Sequence, residues 1–338
     1  MAEFDYQKQV QDYYARAPVI VLGSGASVAC GLPGVDKLAN HIQSISDTEQ
    51  FPEDQQDNWQ EFCALLEAKT DLEKALSEVP FSEEMTDMIV YSVWELISKH
   101  DGEVYKKSLM GQYTFPLGKI LSHMFRSSMN EINIVTTNYD CLAEYACDQG
   151  GWYHYSGFSH GYTNKLSQSQ NLITCRRTVN IWKVHGSIDW FCLENDETIS
   201  IARPQYIPDR YKPQIVTPSI QKYERTHFEP FRTIIGRSDR AVDNANSYLC
   251  FGFGFRDNHI QPKLISRCKN NNASIIVATH TLTEQAKKFL FSGEIKKFLA
   301  IERGERDGQS RIFSSLHDSH IPVDKDYWSM DGFVNLIM

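Results

Sequence analysis

Continuous apolar runs separated by polar or amphipathic segments dominate the hydrophobic pattern of the chain. Six runs rich in β-branched residues are predicted as strands: VIVLG (19–23), INIVTTN (132–138), VNIWKVHG (179–186), QIVTP (214–218), YLCFGFG (248–254) and ASIIVAT (273–279). Such runs are typical of strands that are buried on both faces. Helical patterns such as CLAEYACDQ and LTEQAKKFLF lie between several of them. The pattern therefore predicts an α/β fold with a mostly parallel open sheet and helices on both faces.

A long helical segment interrupts this alternation at about 41–130. Its first helix places four apolar residues on one face: Trp59, Phe62, Leu65 and Leu66. Residues 70–73, TDLE, have the sequence of a capping box. EMTDMIVYSVWELISK is apolar almost all round and is predicted as a buried helix. We interpret the segment as a helical insertion after the first strand–helix unit.

A second insertion is predicted at about 193–246, where polar loops and scattered aromatic residues replace the regular pattern. The sequence contains no internal repeat. We therefore expect a single domain, residues 1–338, with one sheet and two insertions.

Composition narrows the function classes. The net charge of −9 gives no bulk electrostatic reason to bind nucleic acid directly. No apolar run approaches the ~20 residues that span a bilayer, and the N-terminus lacks a signal-peptide pattern. The eight cysteines include no CxxC pair, so we expect reduced thiols, no metal site and a cytoplasmic protein without membrane contact.

The first predicted strand ends in the glycine loop GSGAS (23–27). Gly23 and Gly25 allow a tight turn and close backbone approach, and a helix start behind them offers N–H groups to phosphate oxygens. A structural turn explains the same residues equally well. Val28 stands where a dinucleotide fingerprint continues to a third glycine, and no strand leads to an acidic residue ~20 positions on, which disfavours an ordinary dehydrogenase.

Three further predicted strands end in polar or glycine-rich motifs. In TTNYD (136–140), Asn138 is suited to bind a ribose, an amide or a water, whereas Asp140 either caps the next helix or supports the site. In KVHGSIDWF, His185 is a candidate general base. GFGFRDNHI (252–260) adds a late glycine loop, with Asp257 as a helix cap.

The order GSGAS, GLP (31–33), TTNYD, HG and GFGF resembles the sirtuin family, and more closely the bacterial sirtuin-like NAD-consuming effectors of antiphage defence. The resemblance implies a Rossmann-like fold and NAD as substrate. It implies two catalytic residues, Asn138 beside the nicotinamide ribose and His185 at the ribose hydroxyls. It also implies a set of NAD-binding residues: Gly23, Ser24, Gly25, Ala26, Ser27, Thr137, Asp140, Gly252, Phe253 and Gly254.

The sequence departs from the sirtuin pattern at features found in the protein-deacylating members of the family. The chain lacks the paired CxxC motifs of the zinc module and the FR dipeptide after GLP, and Thr137 replaces the family's glutamine. These changes favour hydrolysis of NAD to nicotinamide and ADP-ribose. A protein deacylase or ADP-ribosyltransferase remains the second interpretation, and a non-catalytic module that binds NAD or ADP-ribose the third.

The resemblance also suggests how such an activity would be controlled. An unrestrained NAD hydrolase would deplete its own host, which is the effect of a toxic effector in abortive infection. We expect a homo-oligomer, a separate partner, or both. Effectors of this kind commonly work beside a HerA-like ATPase, which is the expected partner.

Overall fold

The computed structural model describes residues 4–47, 52–127, 129–159, 163–166, 177–193, 197–203, 206–216, 228–257 and 259–338. The strands are β1 (Val19–Leu22), β2 (Glu131–Thr136), β3 (Tyr153–Tyr155), β4 (Thr163–Lys165), β5 (Thr178–Lys183), β6 (Gly186–Leu193), β7 (Thr198–Ile201), β8 (Tyr211–Ile215), β9 (Ser247–Phe251), β10 (Ser274–Thr279), β11 (Phe298–Arg303), β12 (Ser310–Ser314) and β13 (His317–Val323).

The helices are α1 (Tyr6–Tyr14), α2 (Ser24–Val28), α3 (Val35–Gln43), α4 (Gln56–Glu67), α5 (Leu72–Glu78), α6 (Glu83–Leu109), α7 (Pro116–Met124), α8 (Leu142–Gly150), α9 (Phe231–Asn244), α10 (Gln261–Asn270), α11 (Glu284–Leu290) and α12 (Met330–Ile337). Short 3₁₀ turns lie at Ser44–Asp47 and Glu53–Gln55. None of the helices in the described ranges is long and apolar enough to cross a membrane.

A nine-stranded sheet with the order β13-β12-β11-β10-β9-β1-β2-β5-β3 forms the centre of the protein. The strands from β11 to β3 pair in parallel, and β12 and β13 add an antiparallel edge. This confirms the predicted α/β fold. A separate four-stranded sheet with the order β4-β7-β6-β8 is antiparallel.

Both faces of the large sheet are covered by helices. Along β1, Ile20 packs into one apolar core, whereas Val19 and Val21 pack into the core on the opposite face. Helices α6, α7 and α8 contribute to the first core, and α9, α10 and α11 to the second. Burial of one such side chain contributes about 1.5–3 kcal/mol to the stability of the fold. A strand that is buried on both faces therefore has an unbroken run of apolar residues.

The predicted role of QIVTP was wrong. β8 ends at Ile215 and pairs antiparallel with β6 in the small sheet, while residues 217–218 lie outside the described residues. Pro213 and Ile215 are buried, whereas Gln214 between them is half-buried and Lys212 is exposed, which is the pattern of a strand with one solvated face. The second insertion was predicted as polar loops, but it contains β7, β8 and α9. The two strands have only four or five residues, which is too short for a hydrophobic period to be recognised in the sequence.

The segment between β1 and β2 is helical in its described part, as expected. Helix α6 buries one face rather than its whole circumference, since Tyr91 remains partly exposed. The cap of α5 also differs from the prediction. The Asp71 carboxylate, and not Thr70, accepts the hydrogen bond from the Glu73 N–H at 3.0 Å. The single-domain assignment stays a prediction.

Candidate active site

The carboxyl ends of β1, β2, β5, β9 and β10 meet around a cavity of about 410 Å³, which is within the size range of ligand sites. From β1 the chain continues to β2 on one side, whereas β9 continues to β10 on the other side. Open α/β sheets bind ligands at such a switch point. All the residues predicted for the site line this cavity except Ala26.

The glycine loop packs directly against the late glycine loop. A Cβ atom on Gly25 would lie 2.8 Å from the Gly252 Cα, and Gly252 itself has a φ of +56°. The N–H groups of Gly23 and Gly25 donate to Phe251 O at 3.0 Å and Gly252 O at 3.2 Å. The glycines are therefore required for contact between the two loops, and these two N–H groups are used within the protein.

Asn138 connects the loop after β2 to the glycine loop. Its side-chain Nδ2 donates to Gly23 O at 2.9 Å and to Ser27 Oγ at 2.8 Å. Ser27 Oγ in turn donates to Asp140 Oδ2 at 2.6 Å. Asn138 Oδ1 accepts no hydrogen bond from the described residues, so this oxygen is available to a ligand or a water in the cavity.

Asp140 combines the two roles that its sequence position suggested. One carboxylate oxygen accepts from Ser27, and the other accepts from the Leu142 N–H at 3.2 Å at the start of α8. Burial raises the pKa of this carboxyl, while the Ser27 hydrogen bond and the charge of Lys183 oppose the rise.

His185 lies two residues beyond β5 and is buried in the cavity wall. Its Nε2 is 2.8 Å from Asp257 Oδ2, a close ion-pair distance but without the alignment of a hydrogen bond. The chain turns at Gly186 with a φ of +86°, and a Cβ there would lie 1.9 Å from Gln214 O. Only glycine fits this turn, and the turn fixes the backbone of the preceding residue, His185. The backbone therefore directs the imidazole towards the cavity.

Asp257 was expected only as a helix cap. Its Oδ1 does accept from the N–H groups of His259 and Ile260, both at 2.9 Å, before α10 begins. Its Oδ2 is the oxygen that faces His185. The pairing of Asp257 with His185 was not predicted from the sequence. The feature that could have suggested it is the charged RD dipeptide (256–257) close after the late glycine loop.

A buried lysine supports the loop after β2 from behind. Lys183 Nζ donates to Asp140 O at 2.6 Å and to Ser187 Oγ at 2.7 Å, and pairs with Glu144 at 2.9 Å. Burial alone would lower the pKa of Lys183, but the carboxylates around it, among them Glu144, raise the pKa above its ordinary value. The lysine is therefore charged at neutral pH. It was not singled out from the sequence, because a lysine inside an apolar run carries no signal of its partners.

Comparison with known proteins relates one segment of the chain to a known domain. Residues 132–298 match the model of the SIR2-like domain. The matched segment contains Asn138, His185 and the late glycine loop, and it spans just under half of the chain. No curated protein matches the chain.

Solved structures similar to the chain include three structures of Sir2 homologues. A mutant in complex with 2′-O-acetyl ADP ribose is 13% identical, with 99% of this chain and 96% of that chain covered and a TM-score of 0.44. A mutant in complex with ADP ribose is 12% identical, with the same coverage and a TM-score of 0.48. An NAD complex is 13% identical, with 88% of each chain covered and a TM-score of 0.39.

The SIR2-like segment supplies only part of the cavity, and the helical segment before it supplies another part. Leu38, Leu72 and Ile97 add apolar surface, and Asp71 at the start of α5 forms an ion pair with Arg256. None of these residues was predicted for the site. Within the described ranges, no group of three or more His, Cys, Asp or Glu side chains is arranged to hold a metal ion.

Replacement of Lys183 by methionine is expected to destabilise the protein by about 3–5 kcal/mol, because the buried Glu144 carboxylate would lose its counter-charge. Chemical denaturation of the purified variant measures this loss. The double variant Lys183→Met/Glu144→Gln should recover part of it. A loss below about 1 kcal/mol in the single variant would contradict the assigned role of the ion pair.

Proposed function

We propose that the cavity binds NAD and that the protein hydrolyses the bond between nicotinamide and ribose, with nicotinamide and ADP-ribose as products. The observation that carries the proposal is the placement of Asn138 and the His185–Asp257 pair around one cavity at the switch point of the sheet. The match to the SIR2-like domain and the bound nucleotides of the similar structures support the same class of ligand.

The proposed reaction exchanges the bond from C1′ to nicotinamide for a bond from C1′ to water. The C1′–N bond breaks with its electron pair moving to the nicotinamide nitrogen, and a water oxygen bonds to C1′ while one proton leaves. Asn138 Oδ1 is the acceptor that can orient this water. His185 accepts a proton from the water or from the ribose hydroxyl network, and Asp257 stabilises the resulting imidazolium.

Water is proposed as the acceptor, rather than an acyl-lysine or another nucleophile, because the chain lacks the family's zinc module and has Thr137 in the glutamine position. The test is incubation of the purified protein with NAD, with and without an acyl-lysine peptide, followed by product analysis. Equal amounts of nicotinamide and ADP-ribose without peptide support hydrolysis. Deacylated peptide and O-acyl-ADP-ribose would favour the deacylase, and binding without turnover the non-catalytic module.

We propose further that the activity is that of a toxic effector in antiphage defence and is controlled by assembly with itself or with a HerA-like ATPase. The family resemblance and the cost of uncontrolled NAD loss support this. Measurement of particle size and NAD turnover, for the protein alone and mixed with such an ATPase, tests it. A monomer that cleaves NAD at full rate and is harmless when expressed would contradict it.

A further inference from the structure

We propose that Arg256 binds the diphosphate of the dinucleotide and that Asp71 competes with the ligand for this guanidinium. The inference rests on the proposed function, since it takes a dinucleotide as the ligand. It goes beyond that function by naming the residue that recognises the phosphates and the residue that limits affinity.

The charges around the cavity single out Arg256. It is the only lysine or arginine among the described residues that line the cavity, and the acidic lining residues are Asp71, Glu73, Asp140 and Asp257. A diphosphate brings two negative charges into this acidic surrounding. The imidazole of His185 is already close to Asp257. A cationic side chain is therefore needed at the phosphates, and Arg256 is in position to supply it.

The glycine loop offers less to a phosphate than its sequence suggests. The N–H groups of Gly23 and Gly25 donate to carbonyl oxygens at the end of β9, and the N–H of Ala26 donates to Gly23 O. Helix α2 behind the loop has only five residues. Backbone donors at this loop are thus largely used within the protein, which leaves the phosphates dependent on a side chain.

The backbone that carries Arg256 is held firmly in place. Phe255, the preceding residue, is fully buried and adopts a φ of +55°, a region that residues other than glycine rarely enter. Its ring packs between Phe253 and Phe289, at centroid distances of 5.0 and 5.2 Å. Thr283 Oγ1 donates to Gly254 O at 2.6 Å. These contacts keep the following residue, Arg256, at the cavity.

Asp71 connects Arg256 to the helical segment. Its Oδ1 caps α5 and its Oδ2 pairs with the guanidinium. The side chains of Arg256 and Asp71 are 47% and 35% exposed, and an ion pair at that exposure is weak. The diphosphate offers the same two-pronged acceptor as a carboxylate and carries two negative charges instead of one, so it can displace Asp71 without unwinding α5.

Binding of ADP-ribose to the full-length protein, measured by calorimetry, tests the proposal with substitutions of opposite effect. Arg256→Ala is expected to weaken binding about tenfold or more. Asp71→Asn is expected to strengthen binding about two- to fivefold, because asparagine still caps α5 but no longer holds the guanidinium. Asp307→Asn, which breaks the arginine–aspartate pair with Arg303 outside the cavity, is the matched control and should leave the affinity unchanged.

The possible outcomes separate this inference from the proposed function. If the wild-type protein hydrolyses NAD but Asp71→Asn binds ADP-ribose no more tightly, or Arg256→Ala binds it as tightly as wild type, the inference is wrong and the function stands. If the wild-type protein binds neither NAD nor ADP-ribose, both are wrong. Arg256→Gln replaces Arg256→Ala if thermal unfolding shows that the alanine variant is not folded.

Discussion

Replacement of His185 by alanine is expected to lower kcat for NAD hydrolysis by about 100- to 10,000-fold, the contribution of a positioned general base. The imidazole is buried in the cavity wall, 2.8 Å from the Asp257 carboxylate, and the turn at Gly186 sets its position. Steady-state kinetics with quantification of nicotinamide measures the change. Asp257→Asn should cause a smaller loss, because it removes the charge that stabilises the imidazolium but leaves the base in place.

His320 provides the matched control for this experiment. It is an exposed histidine on the edge strand β13 and does not line the cavity, so His320→Ala should retain the wild-type rate. A His185→Ala protein that keeps its kcat but shows a raised KM would mean that His185 binds the substrate and has no part in the chemistry.

The Asn138→Ala variant is expected to lose about 100- to 1,000-fold in kcat while it remains folded. The substitution removes the Oδ1 acceptor proposed to orient the attacking water. It also removes the two hydrogen bonds from Nδ2 to Gly23 O and Ser27 Oγ. Loss of these bonds should destabilise the protein by only about 1–3 kcal/mol. Product analysis at saturating NAD, together with thermal unfolding, separates the two effects.

Asn270 is a suitable control for Asn138, since its Nδ2 also donates to a serine hydroxyl, that of Ser266, on the exposed end of α10. Asn270→Ala should leave turnover unchanged. Full turnover in a folded Asn138→Ala protein would remove Asn138 from the proposed mechanism and leave it the role of connecting two loops.

The main parallel strands could be predicted from the sequence because burial on both faces leaves an unbroken apolar run. For β1, β2, β5, β9 and β10 that run was visible, and the polar or glycine residues at the ends came with it. The family resemblance implied that Gly23, Asn138, His185 and Gly252 belong to one site. All four line the cavity at the edge of the sheet where the parallel strands end.

Strands that are short or have one solvated face could not be predicted from the sequence. Strand β12 alternates buried and half-buried residues, and β13 has no buried residue. Strand β8, with only two buried residues, was assigned to the wrong sheet for a similar reason. An apolar run of five residues indicates that a segment is buried, but it carries no information about which strand pairs with it.

The sequence by itself thus indicated which loops form the candidate site, and the tertiary structure alone decided which side chains in those loops meet. Asp257 faces His185 across 72 positions of the chain, and Asp71 reaches Arg256 across 185 positions. Lys183 finds Glu144 and Asp140 behind the loop after β2. Hydrophobic periodicity records how deeply each residue is buried, because burial acts on every residue separately. Ion pairs and hydrogen bonds depend on distances between residues far apart in the chain, and those distances exist only once the sheet and its insertions have packed.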